Sequence, residues 1–149
     1  MRTVYFEDLE VGAEYIGPEC LVDEREMLEY SRRNDPWPIH VDEAANQSPF
    51  GGVIASGGFT ITLSYRLSHE VYNTPDARWA FLGGFDWHVK FPAPVRAGDA
   101  LRYRLTVLSK KSSSTPGRGV ATVRSQLTNQ RGEVVLEVEA AILLATRPG

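Results

Sequence analysis

The second half of the chain alternates hydrophobic and polar residues in several short segments. Aromatic and aliphatic side chains recur at every other position in 85–91, and the same alternation returns in 101–108, 119–127 and 134–144. A period of two is typical of strands that bury one face. The polar segment 129–132 ends in glycine and predicts a hairpin connection between the last two strands. We therefore expect about four antiparallel strands in this half.

The middle of the chain has the longer period of a helix. Between residues 54 and 72, apolar side chains recur every fourth residue from Phe59 to Leu67, which predicts a long and mostly buried helix. Gly57 and Gly58 stand near its start, where each lowers helix propensity by about 1 kcal/mol relative to alanine. We therefore expect neighbouring backbone to approach the helix closely at these two glycines.

A shorter helix is predicted before this one. Asp23 is followed three residues later by Glu26, the pattern of a capping box, which predicts a helix over 24–33. Two prolines then remove backbone donors and disfavour the helical conformation of the residues before them. Residues 34–40 are therefore expected to form a stiff loop.

Two minor elements complete the predicted architecture. Residues 14–22 suit a short strand, and Asp42 can cap a second short helix that extends to Asn46. The sum is an N-terminal strand, a helical middle and a set of antiparallel strands. This order predicts an α+β hot-dog fold, in which an antiparallel sheet wraps around a long central helix. We expect a single domain over residues 1–149.

Composition and charge narrow the possible functions. The chain of 149 residues is 42% hydrophobic, enough to fill one core. Its 16 Lys and Arg and 19 Asp and Glu give a net charge of -3 without a basic face, so no nucleic-acid partner is expected. Without a signal-peptide core or an apolar window of about 20 residues, we expect a cytoplasmic protein with no membrane partner. One Cys and three His exclude an intrachain disulfide and predict no metal site.

A carboxylate and an imidazole stand five residues apart in the predicted stiff loop. Asp35 and His40 enclose two prolines that restrict the loop, so both side chains can point into one cavity. Hydration of an enoyl thioester needs a base for water, an acid for the α-carbon and donors for the enolate oxygen. An ionised Asp and a neutral His can supply the first two, although the spacing leaves open which group moves which proton. An Asp and a His at this spacing, taken alone, are more often explained without catalysis: the Asp forms a turn and the His is a partly buried loop residue.

A glycine-rich segment can supply the third requirement. Residues 50–58 contain two Gly-Gly pairs and lead into the predicted long helix. A helix N-terminus offers unpaired N–H groups and the positive end of the helix dipole. The N–H of Gly57 or Gly58 is therefore a candidate donor to a thioester oxyanion. Tight helix packing is the alternative explanation for these two glycines.

Together these motifs resemble the MaoC-like hydratases and dehydratases, a family that includes the (R)-specific enoyl-CoA hydratases. The resemblance extends from about Phe6 to Ala145. It implies an acyl-CoA substrate, no cofactor other than the CoA carried by that substrate, and a homodimer or higher homo-oligomer. The family's Asp, Pro, hydrophobic, His motif and its later segments occur here in the same order, at Asp35, Pro38, Ile39, His40, 48–52, 55–57 and 94–99.

The resemblance also implies roles for individual residues. Asp35 and His40 would be the catalytic acid/base pair, and the N–H of Gly57 would be an oxyanion donor. Ser56 stands where many relatives carry His, and Trp37 stands where the family motif has a small amide. Ser56 and Trp37 are therefore expected to shape the substrate site, together with two glycines, Gly57 and Gly58.

The leading hypothesis is a hydro-lyase that reversibly hydrates an enoyl thioester or dehydrates a 3-hydroxyacyl thioester, with CoA as carrier. One alternative is a hot-dog acyl-CoA thioesterase, which would need a carboxylate on the central helix. Glu70 is the one acidic residue in that segment, and it stands far from the glycine end. A second alternative is a catalytically silent acyl-ligand binding domain that keeps the motif but closes the site with Trp37.

Overall fold

The main sheet is antiparallel and curves along one side of a long helix. In a computed structural model that describes residues 1–42 and 47–149, five strands of this sheet follow the order β2-β5-β6-β7-β4. The strands are β2 (Glu14–Leu21), β4 (Phe81–Lys90), β5 (Ala100–Ser112), β6 (Arg118–Thr128) and β7 (Val134–Ala145). These bounds confirm the predicted strands of the second half and the early strand at 14–22.

Alternation along the strands separates a buried face from an outer face. On β5, Leu101, Tyr103 and Leu105 are buried, while Arg102 and Arg104 between them are exposed. Such alternation buries apolar side chains against the helix at about 25 cal/mol per Å² of apolar surface. The predicted hairpin connection is also confirmed, since the N–H of Asn129 donates to the carbonyl of Glu133 at 2.9 Å.

The long helix is α3 (Gly57–Tyr72), and it packs its apolar face on the sheet. Phe59, Leu63 and Leu67 are almost fully buried, as the fourfold spacing predicts. This helix against an antiparallel sheet confirms the predicted α+β hot-dog fold. Across the described ranges, none of the helices is both long enough and apolar enough to cross a membrane.

The start of α3 lies three residues later than predicted. The N–H of Ala55 donates to the carbonyl of Val95 at 2.8 Å, which holds the chain extended up to Ser56. Ser56 then caps the helix, because its Oγ accepts the N–H of Phe59 at 3.2 Å. The prediction that the helix begins at Ile54 is therefore wrong, since a tertiary hydrogen bond overrides the local apolar pattern.

Two helices precede α3. Helix α1 (Glu24–Asn34) agrees with the prediction, and Asp23 caps it by accepting the N–H of Glu26 at 2.9 Å. The predicted loop at 34–40 is partly wrong, because Pro38–Val41 form a single helical turn, α2. Proline at the first position of a helix has a suitable φ and loses no hydrogen bond, so Pro38 starts this turn.

The predicted short helix from Asp42 to Asn46 cannot be compared with the structure in full. Residues 43–46 lie outside the described part of the chain. Asp42 itself ends α2, and its N–H donates to the carbonyl of Pro38 at 2.9 Å.

The sequence pattern did not predict a small parallel pair of strands. Strand β1 (Arg2–Val4) pairs with β3 (Ala77–Trp79), with Arg2 opposite Ala77 and Val4 opposite Trp79. Three-residue strands give too short an alternation to be recognised in a sequence. The pair brings the N-terminus against the segment that connects α3 to the main sheet.

Strand β4 contains an irregularity that changes which side chains face inward. Asp86 has a positive φ of 55°, and the register with β7 shifts between Phe85 and Trp87. Phe85 lies opposite Ala141, whereas Trp87 lies opposite the adjacent Ala140, so the two aromatic side chains face opposite sides of the sheet. The expectation of one continuous alternation through 85–91 is therefore wrong.

Candidate active site

Asp35 lies where α1 ends. Its backbone N–H donates to the carbonyl of Ser31 at 2.9 Å, and its own carbonyl accepts the N–H of Trp37 at 2.9 Å. Main-chain bonds therefore fix the position of this residue. Its carboxylate takes no part in that anchoring, and 41% of the side chain is exposed.

His40 lies in the α2 turn and is buried. Its Nδ1 is 2.9 Å from the carbonyl oxygen of Ile54. A carbonyl oxygen can only accept, so Nδ1 carries the hydrogen of this bond. In the neutral imidazole the lone pair is then on Nε2. The structure thus fixes both the ring orientation and the tautomer of His40 through the main chain of a residue 14 positions away.

The predicted pair comes together. Nε2 of His40 and Oδ2 of Asp35 are 3.6 Å apart. This separation is too long for a direct hydrogen bond, and in the neutral tautomer both atoms are acceptors. The gap suits a small molecule that donates one hydrogen to each of them.

The segment that leads into α3 contacts this pair through His40. Ile54, whose carbonyl holds His40, precedes Gly57 by three residues. Within the described ranges, the N–H groups of Gly57 and Gly58 have no hydrogen-bond acceptor. They remain available at the positive end of a 16-residue helix. Ser56 is fully buried and its hydroxyl is engaged in capping, so the structure gives it a structural role.

The two glycines are approached closely by aromatic rings, and not by neighbouring backbone as expected. A Cβ at Gly57 would lie 2.7 Å from Cζ of Phe91, and one at Gly58 would lie 2.5 Å from the hydroxyl oxygen of Tyr30. Gly58 thus allows α1 to pack against α3. Gly57 allows the ring of Phe91 to cover the first turn of α3. The sequence pattern did not predict this contact.

Trp37 does not close the space between Asp35 and His40 in this chain. Its side chain leaves the α1–α2 connection toward solvent, and the residue is 66% exposed. An indole that filled the site would be buried. The arrangement therefore leaves the pair accessible from the side on which Trp37 stands.

The segment 94–99 supports the loop that leads to α3. Asp99 is buried, and its carboxylate accepts the N–H of Arg96 at 2.9 Å and the Nε2 amide of Gln130 at 3.0 Å. The guanidinium of Arg96 donates to the carbonyl of Phe50. This family-like segment is thus a structural support for the site and contributes no reacting group to it.

Asp99→Ala is expected to lower the free energy of unfolding by about 1–3 kcal/mol, because it leaves buried donors unpaired. Urea denaturation followed by circular dichroism measures this change. Asp99→Asn is the matched control, since its remaining carbonyl oxygen can still accept one of the two bonds, and we expect a smaller loss. Equal stability of Asp99→Ala and the wild type would contradict the proposed support.

A cavity of about 570 Å³ lies between α3 and the sheet. Its lining on α3 includes Ile61, Ser64, Ser68 and Tyr72, which share one helix face with Gly57. The apolar face of Phe59, Leu63 and Leu67 is core and does not line it. Asp35, His40 and Gly57 are not in the lining, whose residues on α3 begin at Ile61, so the cavity lies beside the middle and C-terminal half of the helix.

The two other histidines are not near the acid/base pair. His69 is exposed at the rim of the cavity, near the C-terminal end of α3. His88 lies on the outer face of β4, exposed, with Nε2 3.6 Å from Oδ1 of Asp86. Neither position suggests a part in chemistry at His40.

The fold and the site define a hot-dog protein with an Asp–His pair beside the N-terminus of its central helix. The MaoC like domain matches residues 9–129 of the sequence. The chain therefore belongs to the MaoC-like dehydratase family, as the sequence motifs predict.

Individual relatives agree with this assignment. A MaoC-like dehydratase from Rhodospirillum rubrum is 33% identical with a TM-score of 0.85, over 97% of this chain and 99% of that chain. An (R)-hydratase from Pseudomonas aeruginosa is 28% identical with a TM-score of 0.65, over 97% and 87%. A 3-hydroxyacyl-thioester dehydratase of Mycobacterium tuberculosis is 43% identical over 65 residues. That match spans 43% of this chain and 42% of the dehydratase, so it covers less than half of the relative's length.

Proposed function

We propose that the protein is a hydro-lyase that reversibly adds water to an enoyl thioester to give a 3-hydroxyacyl thioester. The observation that carries this proposal is the 3.6 Å separation between Nε2 of His40 and the carboxylate of Asp35, with Nδ1 of His40 held by Ile54. Both groups can accept, so both can orient one water by its two hydrogens. The hydratase and dehydratase relatives support the same class of reaction.

The chemistry transfers protons and water without an oxidation or reduction. Water bound between Asp35 and His40 gives up one proton to the pair as its oxygen attacks the β-carbon, and the pair returns one proton to the α-carbon. In the reverse direction the same groups remove the α-proton and protonate the leaving hydroxyl. The proposed mechanism needs no metal or redox cofactor, because each proton has a protein group to accept or supply it.

Negative charge develops on the thioester oxygen during this reaction. The free N–H of Gly57, at the positive end of α3, is the proposed donor to that oxygen. Gly57 has no side chain and the ring of Phe91 lies against it, so the carbonyl would reach the backbone N–H beside that ring. The acyl chain would then follow the helix face from Gly57 into the cavity, with CoA as the proposed carrier.

The thioesterase and silent-domain alternatives receive less support. Glu70 is exposed and stands 13 positions after Gly57 on α3, a distance of about 20 Å along the helix axis. A carboxylate there is too far from a carbonyl bound at Gly57 to attack it. Trp37, the residue that would close a silent site, is mostly exposed.

An assay with crotonyl-CoA and longer enoyl-CoAs tests the proposal. Hydration removes the enone absorbance without release of free thiol, and both signals can be followed in parallel. Thiol release would instead indicate a thioesterase. Binding without any turnover would indicate the silent acyl-binding domain, and either result would contradict the proposed function.

We further propose that two chains assemble through the edge strand β4. One side of β4 pairs with β7 and the other side is at the end of the sheet. Apolar side chains stay exposed along and beside this edge, as a partner surface would require. They are Tyr65, Phe81, Leu82, Phe85, Trp87 and Phe91.

Phe85→Lys is expected to convert the dimer into monomers, because it places a charge in the proposed apolar interface. Light scattering coupled to gel filtration measures the mass. Leu21→Lys is the matched control, since Leu21 is also an exposed apolar residue but lies on β2 at the opposite edge of the sheet. A monomeric wild type, or a Phe85→Lys variant that keeps the dimer mass, would contradict the interface.

A further inference from the structure

The cavity beside α3 carries an unexpected number of hydroxyl groups. Its apolar walls include Ile61, Trp87, Val138 and Ile142. A binding site for a plain hydrocarbon chain gains most from walls of this kind, since each buried methylene is stabilised by apolar surroundings. Six side chains with hydroxyls nevertheless line the same cavity, namely Ser64, Tyr65, Ser68, Tyr72, Tyr103 and Ser125.

Two of these hydroxyls pair on the sheet side, and a third from the end of α3 lies close to them. The hydroxyl of Tyr103 and Oγ of Ser125 are 2.9 Å apart, and the side chain of Tyr72 interacts with Tyr103. The hydroxyls of Tyr103 and Ser125 contain two hydrogens, and the hydrogen bond between them uses one. One O–H donor is therefore left over for another acceptor.

The helix side of the cavity has further hydroxyls that can form hydrogen bonds with a ligand. Ser64 is 8% exposed and lines the cavity, and no protein group in the described ranges pairs with its hydroxyl. Ser68 donates to the carbonyl of Tyr65 at 2.7 Å and keeps its lone pairs free to accept. These hydroxyls line the cavity, where they can pair with a ligand that has polar atoms of its own.

The charge of that ligand group follows from what surrounds it. Burial raises the pKa of the Tyr72 and Tyr103 phenols, so both stay protonated donors at neutral pH. The cationic and titratable side chains of the lining, Arg78 and His69, are exposed at the far rim. A carboxylate inside the cavity would have no buried charge partner, whereas a neutral oxygen needs none.

The position of the hydroxyls sets the distance from the reacting carbons. Ser64 and Ser68 stand seven and eleven residues after Gly57 on α3, which is about 10 Å and 16 Å along the helix. A thioester bound at Gly57 would therefore bring the far half of a medium-length acyl chain beside them.

We propose that this cavity selects acyl thioesters whose chain carries a neutral oxygen function, a hydroxyl or keto group, far from the thioester. Plain hydrocarbon chains of the same length are the disfavoured class, because they leave the hydroxyls without partners. The inference rests on the proposed function, since it assumes that the thioester binds at Gly57.

Binding of unreactive saturated acyl-CoAs tests the inference apart from turnover. Two indoles, Trp79 and Trp87, line the cavity, so tryptophan fluorescence can report the dissociation constants of a medium-chain acyl-CoA and of its analogue with one hydroxyl in the distal half. We expect the hydroxylated analogue to bind at least about tenfold more tightly, the scale of one satisfied hydrogen bond. Ser64→Ala and Tyr103→Phe should each reduce this preference.

Ser109→Ala is the matched control, because Ser109 is exposed on β5 and does not line the cavity; it should keep the wild-type preference. Equal or tighter binding of the plain chain by the wild type would overturn the inference. So would an unchanged preference in both Ser64→Ala and Tyr103→Phe. Turnover separates the two proposals: absence of reaction with crotonyl-CoA and with every longer enoyl-CoA overturns the hydro-lyase function, whereas the binding preference is judged by the fluorescence titrations alone.

Discussion

Asp35→Asn and His40→Ala will each lower the turnover of an accepted enoyl-CoA by about 10²–10⁴-fold, the usual contribution of a positioned acid or base. Steady-state loss of enone absorbance measures the effect. Because the two groups would orient one water together, the double variant should be little worse than either single variant. Wild-type rates in both single variants would show that the pair is not catalytic.

The structure indicates which of these variants should keep the stability of the wild type. The main chain of Asp35, and not its carboxylate, makes the bonds that end α1, so Asp35→Asn should preserve stability. His40→Ala leaves the carbonyl of Ile54 without its donor, which costs about 1–3 kcal/mol. His40→Gln is the matched control, because its amide can still donate a hydrogen bond while it cannot exchange a proton at neutral pH. Thermal unfolding of each variant separates lost catalysis from lost fold.

Gly57→Val is expected to lower kcat/KM by about 10²–10³-fold, the scale for loss of an oxyanion donor. The valine side chain would crowd the space beside the backbone N–H, where the ring of Phe91 already lies against Gly57, and so hinder the approach of the thioester carbonyl. The same enone assay measures the change, over a range of substrate concentrations.

A second variant is needed to interpret this result. A Cβ at position 57 would also press on the ring of Phe91, a residue that is about half exposed. Gly57→Val combined with Phe91→Ala removes the collision but leaves the N–H shielded. If the double variant regained wild-type activity, the damage would come from Phe91, and Gly57 would lose its proposed role.

Local signals determined the elements that the sequence predicts well. The capping pattern at Asp23 and the fourfold apolar spacing through Leu67 arise from contacts within one helix or along one face. Strands β5 to β7 follow their alternation because one face of each is buried. The proximity of Asp35 and His40 was also predictable, because two prolines and a short span leave the chain few ways to separate them.

Contacts between distant segments explain what the sequence did not predict. The bond from Ala55 to Val95 delays the start of α3, and the pairing of β1 with β3 joins residues 75 positions apart. The extra residue at Asp86 reverses the facing of Trp87. None of these interactions has a signature in the neighbouring residues.

The sequence also could not predict that the hydroxyls of the cavity come together. Ser64 and Ser68 stand four residues apart on α3 and hint at a polar stripe. Tyr103 and Ser125 come from two different strands, and their meeting depends on the register between β5 and β6. A sequence can therefore indicate that the helix has a polar side, but not that the sheet offers it matching groups.

The bond from His40 to the main chain of Ile54 has a consequence for mutational tolerance. Every amino acid has a backbone carbonyl, so many side chains at position 54 could preserve the imidazole's orientation if they fit the surrounding packing. An insertion or deletion between Ile54 and Gly57 would shift that carbonyl relative to the helix terminus. Selection acting on catalysis should therefore tolerate changes of residue type in this segment while keeping its length constant.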